Sequence, residues 1–161
     1  MKAEFFNGDI LKKVPVEQNE RIMLGNSQCR AFLYDSSTHQ YQELKDYDMA
    51  KTAQRKYIVM GEKRSYREVY FIYTGYNKVV LRFDGKPQCS SKGYWISKRY
   101  ELEFKIKVVT PIKVIQQDIR NINEFISSYE SEIRTLVRKK TTGGELRDAL
   151  NESFKTKGIC L

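Results

Sequence analysis

The sequence predicts an α+β domain in which a short-stranded, curved and mostly antiparallel β-sheet occupies the N-terminal two thirds and helices cover it. The chain has 161 residues, of which 40% are hydrophobic and 12% aromatic, and a chain of about 150 residues buries enough surface for one core. Runs rich in β-branched and aromatic residues recur up to Val108. After Pro111 the apolar residues are spaced three and four apart, which is typical of a helix.

Seven short runs predict the strands, and the first three are bounded by Gly, Asn, Ser or Asp. They are Arg21–Leu24, Arg30–Tyr34, Lys56–Met60, Glu68–Tyr73, Lys78–Phe83, Trp95–Ile96 and Tyr100–Val108. Because Thr74–Asn77 has turn composition, the fourth and fifth runs are expected to form a hairpin. The last run alternates apolar and charged residues, so it predicts a half-buried strand. Its apolar face consists of Tyr100, Leu102, Phe104, Ile106 and Val108.

A continuous apolar stripe predicts one long amphipathic helix over about residues 112–139, with Pro111 at a favoured first-turn position. The stripe consists of Ile112, Ile115, Ile119, Ile122, Ile126, Tyr129, Ile133 and Leu136. The same spacing is that of a coiled-coil seam, so the stripe is a candidate for packing or for assembly. We favour packing, because the preceding strands need a cover for their apolar face.

A second, shorter helix is predicted over about residues 143–156. Thr142 and Glu145 have the spacing of a capping box, and Leu146, Leu150 and Phe154 lie on one helical face. Gly158 suits the left-handed cap that ends a helix. The length predicts that residues 1–161 form a single domain. Because the chain stops within the strand-like run 159–161, we expect it to be a fragment of a longer chain.

The positive charge is concentrated in the middle of the chain. The net charge is +9, and residues 51–100 carry 12 basic and 3 acidic side chains. The candidate surface for anionic lipid or nucleic acid consists of Lys51, Arg55, Lys56, Lys63, Arg64, Arg67, Lys78, Arg82, Lys92, Lys98 and Arg99. Tyrosines interleave with these residues, which suits stacking of single-stranded bases as well as an anionic membrane. A simply solvated sheet face is the third interpretation.

No pattern of catalytic or metal-ligating residues is present in the sequence. Cys29, Cys89 and Cys160 are widely spaced, as in a reducing compartment, and are expected to be buried small side chains. The single histidine, His39, lies in a polar stretch that predicts an exposed loop. Because neither a nucleophile with a partner nor a phosphate loop is found, we expect a protein that is not an enzyme and uses no cofactor or metal. No membrane-spanning or signal segment is recognised.

The order of segments resembles the SPFH domain (stomatin, prohibitin, flotillin), also called the band 7 domain. The resemblance rests on the start at 16–21, on Glu68–Thr74 followed by Arg82–Pro87, on the junction Val108–Ile115, and on Glu145–Phe154 followed by Gly158-Ile159. At the junction, Thr110 stands where the family usually has Asp.

The resemblance implies an α+β scaffold domain that forms homo-oligomers, has no catalytic activity, and associates with the cytoplasmic side of membranes or with a protein client. It further implies a cytoplasmic location, peripheral to the inner membrane face. The alternative function is a small basic nucleic-acid-binding module that uses residues 51–99. A third hypothesis is an accessory protein that binds a host protein through an exposed isoleucine stripe.

Overall fold

The computed structural model describes residues 1–16, 20–35, 38–49, 56–59, 62–65, 68–84, 88–96, 99–139 and 143–161. Within them the strands are β1 (Leu11–Pro15), β2 (Cys29–Asp35), β3 (Gln40–Leu44), β4 (Lys56–Val59), β5 (Glu62–Ser65), β6 (Glu68–Tyr73), β7 (Asn77–Asp84), β8 (Gln88–Cys89), β9 (Trp95–Ile96), β10 (Arg99–Val108) and β11 (Ile159–Cys160). The helices are α1 (Pro111–Gln116), α2 (Ile122–Ser127), α3 (Glu130–Arg138) and α4 (Gly143–Lys155). The predicted α+β class is confirmed.

The strands form two main sheets instead of the single sheet expected. One has the order β1-β6-β2-β3, and the other has the order β11-β10-β7. All strand pairs in both sheets are antiparallel. Two short ladders, β4-β5 and β8-β9, stand apart from them.

The four-stranded sheet has a hydrophobic cluster on each face. Phe32 and Ile72 point into the larger cluster, which also contains the buried residues of all four helices, of β10 and of β11. Ala31 and Phe71 point into the smaller cluster, which half-buried residues of the N-terminal segment cover. Because β2 and β6 supply side chains to both clusters, this sheet lies between them.

Two strands of this sheet lie where the sequence pattern predicts none. The sequence of β3, QYQEL, is mostly polar, and that of β1, LKKVP, contains two lysines and a proline. Both are edge strands, and lysine, proline and other polar residues are typical of edges because they discourage pairing with other chains. The predicted strand Arg21–Leu24 is instead an extended segment with isolated bridges from Arg21 to Met49 and from Met23 to Lys2.

The predicted hairpin between residues 68–73 and 78–83 is wrong, because β6 and β7 belong to different sheets. Both sides of β6 are occupied, by β1 and by β2. At its end the Tyr73 amide donates to the Ile10 carbonyl at 3.0 Å, and the Thr74 amide donates to the Gln28 carbonyl at 2.7 Å. The segment after Tyr73 is therefore held to the four-stranded sheet, and it leads the chain across to the second sheet.

The predicted long helix over residues 112–139 is also wrong, since three helices take its place. The first break lies at residues 117–121, where Asp118 has a φ of 54° and the Arg120 carbonyl accepts from the amides of Ile10 and Leu11. A carbonyl used in this way cannot continue the helical hydrogen-bond ladder. Asn121 then caps α2, and its side chain accepts from the Asn123 amide. A second break follows at Ser128–Tyr129.

The second predicted helix is confirmed as α4, which ends within one residue of the expected end; Thr142, its predicted cap, lies outside the described residues. Gly158 has a φ of 80° and turns the chain into β11. β11 pairs with residues 107 and 108 of β10. The C-terminal segment therefore returns to the strand that precedes the helices.

Candidate functional site

The eleven candidate basic residues are only partly covered by the structure. Lys51, Arg55, Arg67 and Lys98 lie outside the described residues, and the side chains of Lys56, Lys63 and Arg64, on β4 and β5, are not described either. Lys78 and Arg82 lie on β7, Arg99 begins β10, and Lys92 lies in the turn between β8 and β9.

Three of the four described candidates are paired with carboxylates on the outer face of the second sheet. Lys78 Nζ lies 3.0 Å from Glu103 Oε1, and Arg82 Nε lies 3.1 Å from Glu101 Oε2. Arg99 Nε lies 3.7 Å from Asp84 Oδ1. All six side chains are more than half exposed, so each pair contributes little to stability. The pairs nevertheless balance the charge of this face locally.

The strand β10 alternates as its sequence predicts. Ile106 and Val108 are buried, Tyr100, Leu102 and Phe104 are half-buried, and Glu101 and Glu103 are exposed. On one side β10 pairs with β7 from Arg99 to Ile106. On the other side β11 reaches only Lys107 and Val108, and no strand in the described part of the chain pairs there with residues 101–106.

A groove of about 700 Å³ lies along this unpaired edge. It is bounded by residues of β10, α4 and the end of the chain. Its lining is Tyr76, Leu102, Glu103, Phe104, Lys105, Gly143, Leu146, Arg147, Leu150 and Leu161. The groove therefore joins unpaired backbone to mostly apolar side chains.

A second exposed feature is the β8-β9 hairpin, residues 88–96. Tyr94, Trp95 and Ile96 are 70%, 76% and 54% exposed. The Ser90 amide donates to the Tyr94 carbonyl at 2.6 Å, and the Tyr94 amide donates to Ser90 Oγ at 3.1 Å. The turn is therefore closed by hydrogen bonds, although its large side chains face outward.

The exposure of this hairpin does not follow from the residue pattern alone. The sequence predicts a strand at Trp95–Ile96, and strands normally have one buried face. The feature of the sequence that could have predicted this exposure is the short length of the strands. Two-residue strands around a Ser-Ser-Lys-Gly turn are too short to cover a tryptophan. For the same reason Cys89 is exposed. Of the three cysteines predicted to be buried, only Cys29 is, because Cys160 is half-buried.

Except for Ile112, the residues of the apolar stripe belong to the larger cluster or pack against it. Ile115, Ile122, Ile126 and Ile133 are buried, and Ile112, Ile119, Tyr129 and Leu136 are half-buried. The rings of Phe125, Tyr129 and Phe154 contact one another, with centroids 4.9–5.1 Å apart. The break into three helices therefore keeps the stripe on the inside, where it presents no exposed seam.

Two titratable side chains of the described residues, Cys29 and His39, illustrate the local environments. Burial raises the pKa of the Cys29 thiol to about 11, so this cysteine stays protonated at neutral pH. His39 is exposed, and its Nδ1 lies 3.1 Å from the Tyr34 hydroxyl. Among the described residues no three His, Cys, Asp or Glu side chains are close enough to hold a metal ion.

None of the helices in the described ranges combines the length and the apolarity needed to cross a bilayer. No family model matches the sequence, and comparisons with curated proteins and with solved structures find no significant match.

Proposed function

We propose that this chain is a non-catalytic scaffold domain of the SPFH kind, which self-associates through the unpaired edge of β10 and acts on the cytoplasmic side of a membrane or with a partner protein. The sequence resemblance supports the scaffold role. The observation that carries the proposal is the open edge of β10 beside the groove. An unpaired strand edge is a ready template for pairing with another chain.

The edge of β10 is complementary to a second copy of itself. In an antiparallel pair centred on Glu103, Leu102 lies opposite Phe104 of the other copy, and Glu101 lies opposite its Lys105. Apolar residues then meet apolar residues and two acidic–basic pairs form, while the two Glu103 side chains face each other at the centre. Each such cross-strand pair contributes about 0.2–1 kcal/mol.

Centring the pair one residue earlier is less favourable. With Leu102 at the centre, Glu101 would lie opposite Glu103 of the other copy, and Arg99 would lie opposite Lys105. Like charges directly opposite one another are destabilising. Within residues 99–106, the register centred on Glu103 places one pair of like charges opposite each other, the two Glu103 side chains, whereas the register centred on Leu102 places four.

A pair centred on Phe104 would avoid like charges, but it would set residues 100 and 101 of the other copy against Val108 and Lys107, where β11 already pairs. Charge and the position of β11 together therefore favour the register centred on Glu103.

The first test reverses one charge. Lys105→Glu should place glutamates opposite one another and weaken self-association roughly tenfold, as measured by analytical ultracentrifugation over a concentration series. Lys139→Glu, an equal charge change at the exposed end of α3, should leave the association unchanged. The double variant Glu101→Lys/Lys105→Glu should restore it.

The second test determines directly which residues of the two copies face each other. Facing residues in an antiparallel pair have Cα atoms about 4.5–5.5 Å apart, which suits a disulfide. With Cys89 and Cys160 replaced by serine, Glu103→Cys should form a covalent dimer under oxidation. Glu101→Cys should not, because the two copies of residue 101 would lie roughly 13 Å apart along the strands. A strict monomer, or equal cross-linking at both positions, would contradict the proposal.

The alternative, a nucleic-acid-binding module, has less support from the described residues. Backbone phosphates are held by cations, and Lys78, Arg82 and Arg99 already have carboxylate partners. A single-stranded oligonucleotide that binds with a steep loss of affinity in salt would favour this alternative.

A further inference from the structure

We propose that the β8-β9 hairpin is a membrane-interface anchor, whose Tyr94, Trp95 and Ile96 side chains enter the headgroup region of an anionic bilayer while Lys92 contacts lipid phosphate. This inference deepens the membrane role in the proposed function and rests on it, but it does not require self-association. It identifies the part of the domain that contacts the membrane and the kind of membrane that it contacts.

The first argument is the exposure of both faces of β9. Consecutive strand residues point to opposite sides, and yet Trp95 and Ile96 are both more than half exposed. A strand that covers a core hides one of its faces. A hairpin with apolar side chains on both sides instead suits insertion into a medium that surrounds it.

The second argument is the chemistry of the side chains. Tryptophan and tyrosine combine an apolar ring with a polar group, and they concentrate where lipid headgroups meet acyl chains. Ile96 adds an aliphatic side chain, whose transfer from water to the same region is also favourable. Single-stranded bases would stack on the two rings but would give the isoleucine no matching partner.

The third argument is the charge around the hairpin. Lys92 is exposed in the turn between β8 and β9, and the chain carries a net charge of +9. Arg99, three residues after the hairpin, is 93% exposed but lies 3.7 Å from Asp84, so Lys92 is the cation that carries this argument. Cations beside apolar groups at the interface favour anionic lipids.

The fourth argument is the closed geometry of the turn. The Gly93 amide donates to the Ser90 carbonyl at 3.0 Å, and Gly93 has a φ of 82°, which a glycine adopts without strain. Together with the bonds between Ser90 and Tyr94, this satisfies backbone groups within the hairpin. A turn with satisfied backbone groups enters a less polar region at a smaller cost than an open loop.

Trp95 is the single tryptophan of the chain, so its fluorescence reports directly on the hairpin. With the whole chain and vesicles of phosphatidylcholine and phosphatidylglycerol in equal parts, we expect a blue shift of Trp95 emission and quenching by lipids brominated near the headgroup. Vesicles of phosphatidylcholine alone should give a much smaller change, and added salt should reduce the binding.

Variants test the residues by co-sedimentation with the same vesicles. Trp95→Ala and Tyr94→Ala should each lower partitioning roughly tenfold, because each removes a large side chain that the bilayer would bury. Tyr47→Ala, at another exposed tyrosine, is the matched control and should have no effect. Lys92→Glu should weaken binding, whereas Lys139→Glu should weaken it far less.

Circular dichroism checks that each variant is folded. Absence of vesicle binding would overturn the anchor, as would equal binding to both vesicle types or loss of binding in the Tyr47 control. Quenching of Trp95 by a single-stranded oligonucleotide without any response to vesicles would also overturn it and assign the hairpin to nucleic acid. Because self-association is measured by sedimentation without lipid, failure of the anchor and failure of the edge pairing are distinguished.

Discussion

At the residue scale, Gly158 shows how one position joins the helices to the second sheet. Its φ of 80° lies in the left-handed region, and a Cβ there would lie 2.5 Å from the Thr110 carbonyl oxygen. Its own carbonyl accepts from the amides of Val109 and Thr110. The sequence predicts a glycine cap at this position, but the close contact with Thr110 arises only because β11 returns to β10.

We therefore expect Gly158→Ala to destabilise the fold by about 2–4 kcal/mol, since it combines an unfavourable backbone conformation with a steric clash. Urea denaturation measures the change. Gly144→Ala is the matched control, because its Cβ would meet nothing within 4 Å, and alanine stabilises a helical position by up to about 1 kcal/mol. Equal effects of the two substitutions would contradict this account.

At the element scale, the break between α1 and α2 is the main departure from the sequence prediction. The 3–4 spacing of apolar residues continues through it, so periodicity alone gives no sign of an interruption. Lys13 Nζ lies 2.9 Å from Asp118 Oδ1, and Arg120 Nε lies 3.0 Å from the same oxygen. The break is therefore held by residues of β1, which lie about a hundred positions earlier in the chain.

The pH dependence of stability tests whether the contacts of Asp118 with Lys13 and Arg120 stabilise the fold. Hydrogen bonds from Lys13 and Arg120 hold the pKa of Asp118 below its usual value of 3.8. A carboxyl with a lowered pKa stabilises the fold above its unfolded pKa, and this contribution is lost as the pH falls through the lower, folded value. The side chain is half exposed, so the expected contribution is at most about 1 kcal/mol.

Asp118→Asn should therefore lower stability slightly at neutral pH and by much less at about pH 3. Asparagine tolerates the positive φ, so the backbone is preserved. Urea denaturation midpoints at both pH values measure the change. Asp84→Asn is the comparison variant, because Asp84 belongs to a looser ion pair, at 3.7 Å from Arg99. A loss of equal size at both pH values would show that the carboxylate charge is not the cause.

At the scale of the whole molecule, the four-stranded sheet connects two hydrophobic clusters. Phe154 lies in the larger cluster and Phe71 in the smaller one, and both are fully buried. Because β2 and β6 contribute to both clusters, neither can lose its packing without disturbing the shared sheet. We expect one cooperative unfolding transition.

Phe154→Ala and Phe71→Ala should each lower the free energy of unfolding by about 3–5 kcal/mol. Both should shift the same single transition, whether it is followed by far-ultraviolet or by near-ultraviolet circular dichroism. Phe6→Ala, at a side chain that is 70% exposed, should change the free energy of unfolding by less than about 0.5 kcal/mol. Two separate transitions in either core variant would mean that the clusters unfold independently.

The candidate surfaces were predictable only in part. The charge of the middle third is visible in the sequence, but the ion pairs that balance Lys78, Arg82 and Arg99 depend on the register between β7 and β10. The open edge of β10 follows from how far β11 extends along it. The outward position of Trp95 depends on a hairpin that contributes to neither of the two hydrophobic clusters of the described residues.

The residue pattern alone predicts the α+β class and the side chains of β10 and of residues 112–136 that face inward. These properties follow from periodicity, because side chains repeat every two residues in a strand and every 3.6 in a helix. The tertiary structure alone decided that β6 pairs with β1 and β2 and that the long helix breaks at Asp118. Both outcomes depend on hydrogen bonds between distant residues, such as Ile10 with Tyr73 and Arg120, and a local pattern contains no information about such partners.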